Sequence, residues 1–167
     1  MRLRANIVLI GMPGSGKSTI GRRLAQQTGR EFIDGDAVIE AKEGKKLPAI
    51  IAETGLEGFC DIEARHLGAL ALENHVIATG GSVVYRDGAM KHLRDIGVVV
   101  FLDVPFAELE RRLGNLAARG VVIAPGKTLR QLYDERDPLY RKYAEVTVNC
   151  AGRGDGAVVE EIIAGVQ

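Results

Sequence analysis

Eight residues near the N-terminus constrain this chain more than any others: Gly11-Met12-Pro13-Gly14-Ser15-Gly16-Lys17-Ser18. The apolar run Ile7-Val8-Leu9-Ile10 precedes them, and a helical pattern from Thr19 to Gln27 follows. A buried strand, a glycine-rich turn and a helix are therefore expected in direct succession. Glycines let the backbone curl so that successive N–H groups converge on a polyphosphate, and the helix N-terminus adds a favourable dipole. In such a loop Lys17 reaches the β- and γ-phosphates and the Ser18 hydroxyl faces Mg²⁺. Gly11, Gly14, Ser15, Gly16, Lys17, Ser18 and Thr19 form the expected nucleotide-binding set. A glycine turn that binds nothing is the bland alternative, and the full motif in its strand–loop–helix context argues against it.

The rest of the chain alternates short apolar runs with helical patterns. Strands are expected at 6–10, 31–33, 75–78, 98–102 and 146–148. Helices are expected at 17–27, 36–42, 47–53, 58–73, 86–93, 105–116, 128–143 and 157–166. This alternation reads as an α/β protein, a parallel sheet covered on both faces, with ligands beyond the C-terminal strand ends. At 167 residues a single domain spanning 1–167 is expected. Lys plus Arg equal Asp plus Glu, 22 against 22, so no net basic charge points to nucleic acid. No apolar stretch approaches membrane-spanning length and no signal-peptide pattern opens the chain, so no membrane partner and a cytoplasmic location are expected. Two cysteines, Cys60 and Cys150, are too few for a disulfide framework. A monomer is the expectation for this size. Residues 115–127 form a long loop between two strong helices, read as a lid.

Three further features lie where a second ligand would. Asp34 and Asp36 flank Gly35 at the end of the second strand, where one carboxylate can face Mg²⁺ and the other a substrate hydroxyl. By itself an Asp-Gly-Asp is more often a turn with a helix cap, and the phosphate loop beside it reverses that preference. Thr79-Gly80-Gly81-Ser82 follows the third strand and offers bare backbone to a closely approaching polar group. Arg112, Arg119 and Arg136 could each give planar contacts to phosphate or carboxylate, or simply decorate a solvated helix face. The three histidines are scattered and carry no assigned role.

In this order and spacing, the phosphate loop, Asp-x-Asp, Gly-x-x-x-Phe-x-x-x-Glu, Gly-Gly turn, lid arginine and Arg-x-x-Leu-Tyr resemble the shikimate kinase family. The resemblance runs from Ile7 to about Val148. It implies a three-layer α/β/α P-loop kinase fold, like that of nucleoside-monophosphate kinases, with a five-stranded parallel sheet and a lid loop. It also implies transfer of the ATP γ-phosphate to the 3-hydroxyl of shikimate, with Mg²⁺, in aromatic amino acid biosynthesis. Carried over by residue, Lys17, Asp36 and Arg119 would be catalytic. Ser18 and Asp34 would serve the metal. Arg112 would pack on adenine and Arg119 would close over the phosphates. Asp36, Gly80, Gly81 and Arg136 would bind the substrate, Arg136 at its carboxylate.

One position departs from the pattern. The family's Phe-Arg-x-x-Glu reads Phe59-Cys60-Asp61-Ile62-Glu63 here, so an arginine that clamps the substrate carboxylate is a cysteine. Losing a charge-assisted bond in a desolvated site costs on the order of 2–5 kcal/mol. Arg65, five residues on, points about 140° away on a helix and is a poor stand-in. The turn and the lid differ too: Ser82 stands for a third glycine, and Arg119-Gly120-Val121-Val122 for Arg-Pro-Leu-Leu. A different small hydroxylated acceptor is therefore one alternative. An ATPase or nucleotide-dependent switch is another, in which Asp103 would hold Mg²⁺ at the end of Val98–Leu102.

Overall fold

Asn6–Ile10 (β1) is buried at every position, as a run with no polar alternation requires. Such a strand is stable only in the middle of a sheet with both faces covered. In the computed structural model, which describes residues 6–114 and 126–167, β1 is the central strand. The remaining strands are Glu31–Asp34 (β2), His75–Ala78 (β3), Gly97–Asp103 (β4) and Val146–Asn149 (β5). All pairings are parallel, in the order β2-β3-β1-β4-β5. Ile7 lies opposite Val76 on one side and Val98 on the other. Asn6, 1% exposed, locks the N-terminal sheet edge: its amide donates to Leu72 O and Ile96 O and its carbonyl accepts from His75 N.

The helices are Lys17–Thr28 (α1), Gly35–Glu43 (α2), Leu47–Leu67 (α3), Asp87–Ile96 (α4), Phe106–Arg112 (α5), Leu129–Tyr143 (α6) and Asp155–Val166 (α7). α1 and α7 pack together on one face, and α4 and α6 contact β4 on the other. A smaller apolar cluster of Ile39, Ile50 and Phe59 joins α2 to α3. The expected architecture is thus present, with three local differences. The separate helices expected at 47–53 and 58–73 are one span broken at Gly55 (φ 73°, ψ 176°), a backbone region essentially closed to other residues. That span stops at Leu67, where Gly68 N closes onto Ala64 O. The helix expected to reach 116 ends at Arg112, because Leu113 leaves helical geometry and packs where a side chain on Gly14 would sit. The proposed lid, but for Gly126 and Lys127, lies outside the described residues.

Candidate active site

At the C-terminal end of β1 the chain turns through Gly11, Gly14 and Gly16, with φ of 153°, 80° and 95°. No L side chain adopts this series without strain, so glycine at these three positions is what lets the chain make the turn. Ser15 N donates to Met12 O at 3.1 Å. The Lys17 ammonium bridges the loop, donating to Gly11 O at 2.7 Å and Met12 O at 2.9 Å. Burial lowers its pKa to about 8, against the opposing pull of Asp36. It therefore still carries its charge at neutral pH.

Asp34 ends β2 and caps α2. One carboxylate oxygen accepts from Asp36 N and Ala37 N, and the other accepts from the Ser18 hydroxyl at 3.1 Å. The turn-and-cap reading of Asp-Gly-Asp describes Asp34, and capping fixes it beside Ser18 while Asp36 lines the cavity. Burial, followed by the neighbouring Asp34 charge, raises the Asp36 carboxyl to about 6.

β3 delivers the opposite wall. Thr79 fastens the end of β3 to β1, its N–H and hydroxyl both donating to Leu9 O. A β-carbon on Gly80 would lie 2.7 Å from Asp36 Oδ1 and 2.8 Å from Glu63 Oε2; one on Gly81 would lie 2.7 Å from Arg136 Nη1. A side chain at either position would displace these carboxylate and guanidinium ends from where they now lie. Tyr140, stacked on Phe101, donates its hydroxyl to Gly81 O at 2.7 Å and sets the turn. Arg136, 1% exposed, reaches the site from α6.

Gly14, Gly16, Lys17, Ser18, Thr19, Asp34, Asp36, Gly80, Gly81 and Arg136 all line one cavity of about 280 Å³. Gly11 and Ser15 stand behind it as partners of Lys17. Arg112 lies at the rim, donating to Gly14 O at 3.0 Å and paired with Glu108. Arg119 lies outside the described residues. Asp103 is not at the cavity: it pairs with Arg141 at 2.8 Å.

Sequence reasoning gave no role to Glu63, Ser82, Tyr85 or Tyr140. Glu63 is 1% exposed; Ser82 Oγ donates to its Oε1 at 2.7 Å, and its Oε2 has no hydrogen-bond partner among the described residues. Burial raises its carboxyl to about 7, with nearby Asp36 adding to the effect. The signal was present, since Phe59, Glu63 and Leu67 recur at helical spacing, placing an acid on an apolar face. Cys60 is buried on α3, and burial and Glu63 push its thiol up to about 11, which disfavours the thiolate. Arg65 does turn away, pairing with Glu43. The arginine nearer Cys60 is Arg86, held by Asp61 and Glu57 at 2.9 and 2.8 Å.

Among the described residues no three acidic, histidine or cysteine side chains cluster as a metal cage. The donors present are one hydroxyl and one carboxylate beside a phosphate loop. They fit Mg²⁺, which is usually held by one or two carboxylates together with substrate phosphates rather than by an all-protein cage. No described helix is long and apolar enough to cross a membrane.

Comparison with known proteins agrees with this geometry. Residues 13–167 match the shikimate kinase family model. A shikimate kinase of Chromohalobacter salexigens is 42% identical over 160 residues, covering 94% of this chain and 89% of that protein. One from Mycobacterium avium is 40% identical, covering 93% and 90%. Among solved structures, the shikimate kinase of Acinetobacter baumannii in complex with shikimate superposes with a TM-score of 0.87 at 34% identity, covering 95% of this chain and 90% of that one. The Aquifex aeolicus enzyme superposes with a TM-score of 0.83 at 31% identity, covering 96% and 95%. With the family model matching nearly the whole chain and relatives this close at this coverage, the chain belongs to the shikimate kinase family, small-molecule kinases that phosphorylate a hydroxyl.

Proposed function

We propose that the chain transfers the γ-phosphoryl group of ATP to the 3-hydroxyl of shikimate, and that the residues above divide the work. The observation that carries this reading is the single cavity in which the phosphate loop faces Asp36, the Gly80-Gly81 turn and Arg136. Donor and acceptor are then held in contact, which supplies much of the acceleration in phosphoryl transfer.

Asp36 accepts the proton of the attacking hydroxyl. A carboxyl raised to about 6 is ionised at neutral pH yet more basic than an exposed aspartate, as a general base should be. Lys17 places positive charge at the transferring phosphoryl group. Gly80 and Gly81 let the acceptor ring approach the backbone, and Arg136 pairs with its carboxylate. Ser18 and Asp34 would hold Mg²⁺, which when bound neutralises charge on the phosphates. Arg112, which donates to Gly14 O on the phosphate loop, would serve the adenine side. Arg119 would complete the charge over the phosphates. The protein would act as a cytoplasmic monomer in aromatic amino acid biosynthesis.

The other acceptor that Cys60 leaves open is not favoured, since relatives at about 40% identity share the shikimate kinase name. The switch reading loses its metal ligand, because Asp103 is engaged by Arg141. The test is ADP formation from Mg·ATP with shikimate added or omitted. Saturable, shikimate-dependent turnover is expected; acceptor-independent ADP release would overturn the kinase reading.

A further inference from the structure

The cavity holds two cationic side chains among the described residues, Lys17 and Arg136. Lys17 is committed to the phosphate loop. On the reading above, an acceptor carboxylate therefore depends on one guanidinium, and the orientation of that guanidinium decides how well the acid is held. A planar fork pairs with a carboxylate only when its plane is fixed.

Three hydrogen bonds in series fix it. Arg136 Nε donates to the Tyr85 hydroxyl at 2.9 Å. Tyr85 donates its own proton to Glu135 Oε2 at 2.5 Å. Lys127 donates to Glu135 Oε1 at 2.9 Å. The direction of this relay is forced. Arginine and lysine can only donate, an ionised carboxylate can only accept, and a phenol donates one proton. With Glu135 taking that proton, the Tyr85 oxygen must present a lone pair to Arg136. The guanidinium carbon also lies 5.1 Å from the Tyr85 ring centroid, so both ring and hydroxyl bear on it. Tyr85 closes the short 3₁₀ turn Val83–Tyr85, which directly follows the Gly80-Gly81-Ser82 turn. One stretch of chain thus supplies the acceptor's backbone platform and the brace for its counter-charge.

We propose that Tyr85 is a positioning residue for the acceptor's acid group: oriented by Glu135 and Lys127, its hydroxyl holds Arg136 in the plane needed to receive a carboxylate. Tyr85 need not touch the substrate. Its effect is confined to acceptor binding, because the phosphate loop and Asp36 lie on other elements.

The experiment is steady-state kinetics of the full chain with Mg·ATP and titrated shikimate, for wild type, Tyr85→Phe, Glu135→Ala and the double variant, with thermal melts alongside. Tyr85→Phe keeps the ring and removes the acceptor of Nε–H. The expected result is a rise of about tenfold in KM for shikimate, with kcat and the KM for ATP within about twofold of wild type. Glu135→Ala should raise the same KM less, and adding it to Tyr85→Phe should change nothing further, because the two act through one relay. An unchanged KM for shikimate in Tyr85→Phe overturns the proposal while leaving the kinase reading intact. So does a loss of kcat, both KM values and melting temperature together, which marks a merely structural role, or full additivity in the double variant. Wild type that turns over no shikimate overturns both.

Discussion

Replacing Glu63 with glutamine isolates the cost of a buried acid in the acceptor pocket. Folding raises this carboxyl from 4.5 to about 7. Between those values the native state binds more proton than the unfolded state, so stability falls as pH rises through the window. At about 1.4 kcal/mol for each tenfold change in proton affinity, this is a penalty of about 3–4 kcal/mol, fully developed above pH 7. Glutamine has nearly the same shape. Its carbonyl can accept from Ser82 as Oε1 does, and its amide can donate toward Asp36 where Oε2 has no hydrogen-bond partner among the described residues. Thermal unfolding of Glu63→Gln and wild type at pH 4 and pH 8 reads the difference. The two proteins should melt together at pH 4, and the variant should melt about 10 °C higher at pH 8, taking 2–4 °C per kcal/mol for a chain of this size. A gap of equal size at both pH values would refute the reasoning, because a packing effect does not titrate.

Lys17→Ala should lower turnover by about a thousandfold or more, measured by ADP release at saturating substrates; near-normal turnover would remove Lys17 from phosphoryl transfer. Asp36→Asn should cut kcat by about a hundredfold or more while the KM for ATP stays within about twofold, and equal losses in both would argue against a base on the acceptor side. Cys60→Arg should lower the KM for shikimate by about tenfold or more and should shrink the fall in stability between pH 4.5 and 7, since the new charge would lie beside Glu63. An unchanged KM with a normal melt would show that the cavity does not use that direction of approach.

Most of the local structure of this protein is legible along the chain. Continuous apolar runs mark the strands, positive-φ glycines announce the phosphate loop, and Asp34, Asp36, Gly80 and Gly81 stand at strand ends where ligands bind in parallel sheets. Such features depend on neighbours a few residues apart, and sequence patterns record those neighbours directly. Helix limits were less legible, because Gly55 could end a helix or break one, and the docking of Leu113 on Gly14 decides where α5 stops. The tertiary structure alone decided how distant side chains pair. Glu63 meets Ser82 across 19 positions, Arg136 meets Tyr85 across 51, and Tyr140 meets Gly81 across 59. No periodicity encodes these partnerships. They exist because the order β2-β3-β1 brings the ends of β2 and β3 beside the phosphate loop, while α3 and α6 close over them. Burial at that junction then sets the protonation of Asp36 and Glu63, since desolvation is a property of the packed site and not of either residue.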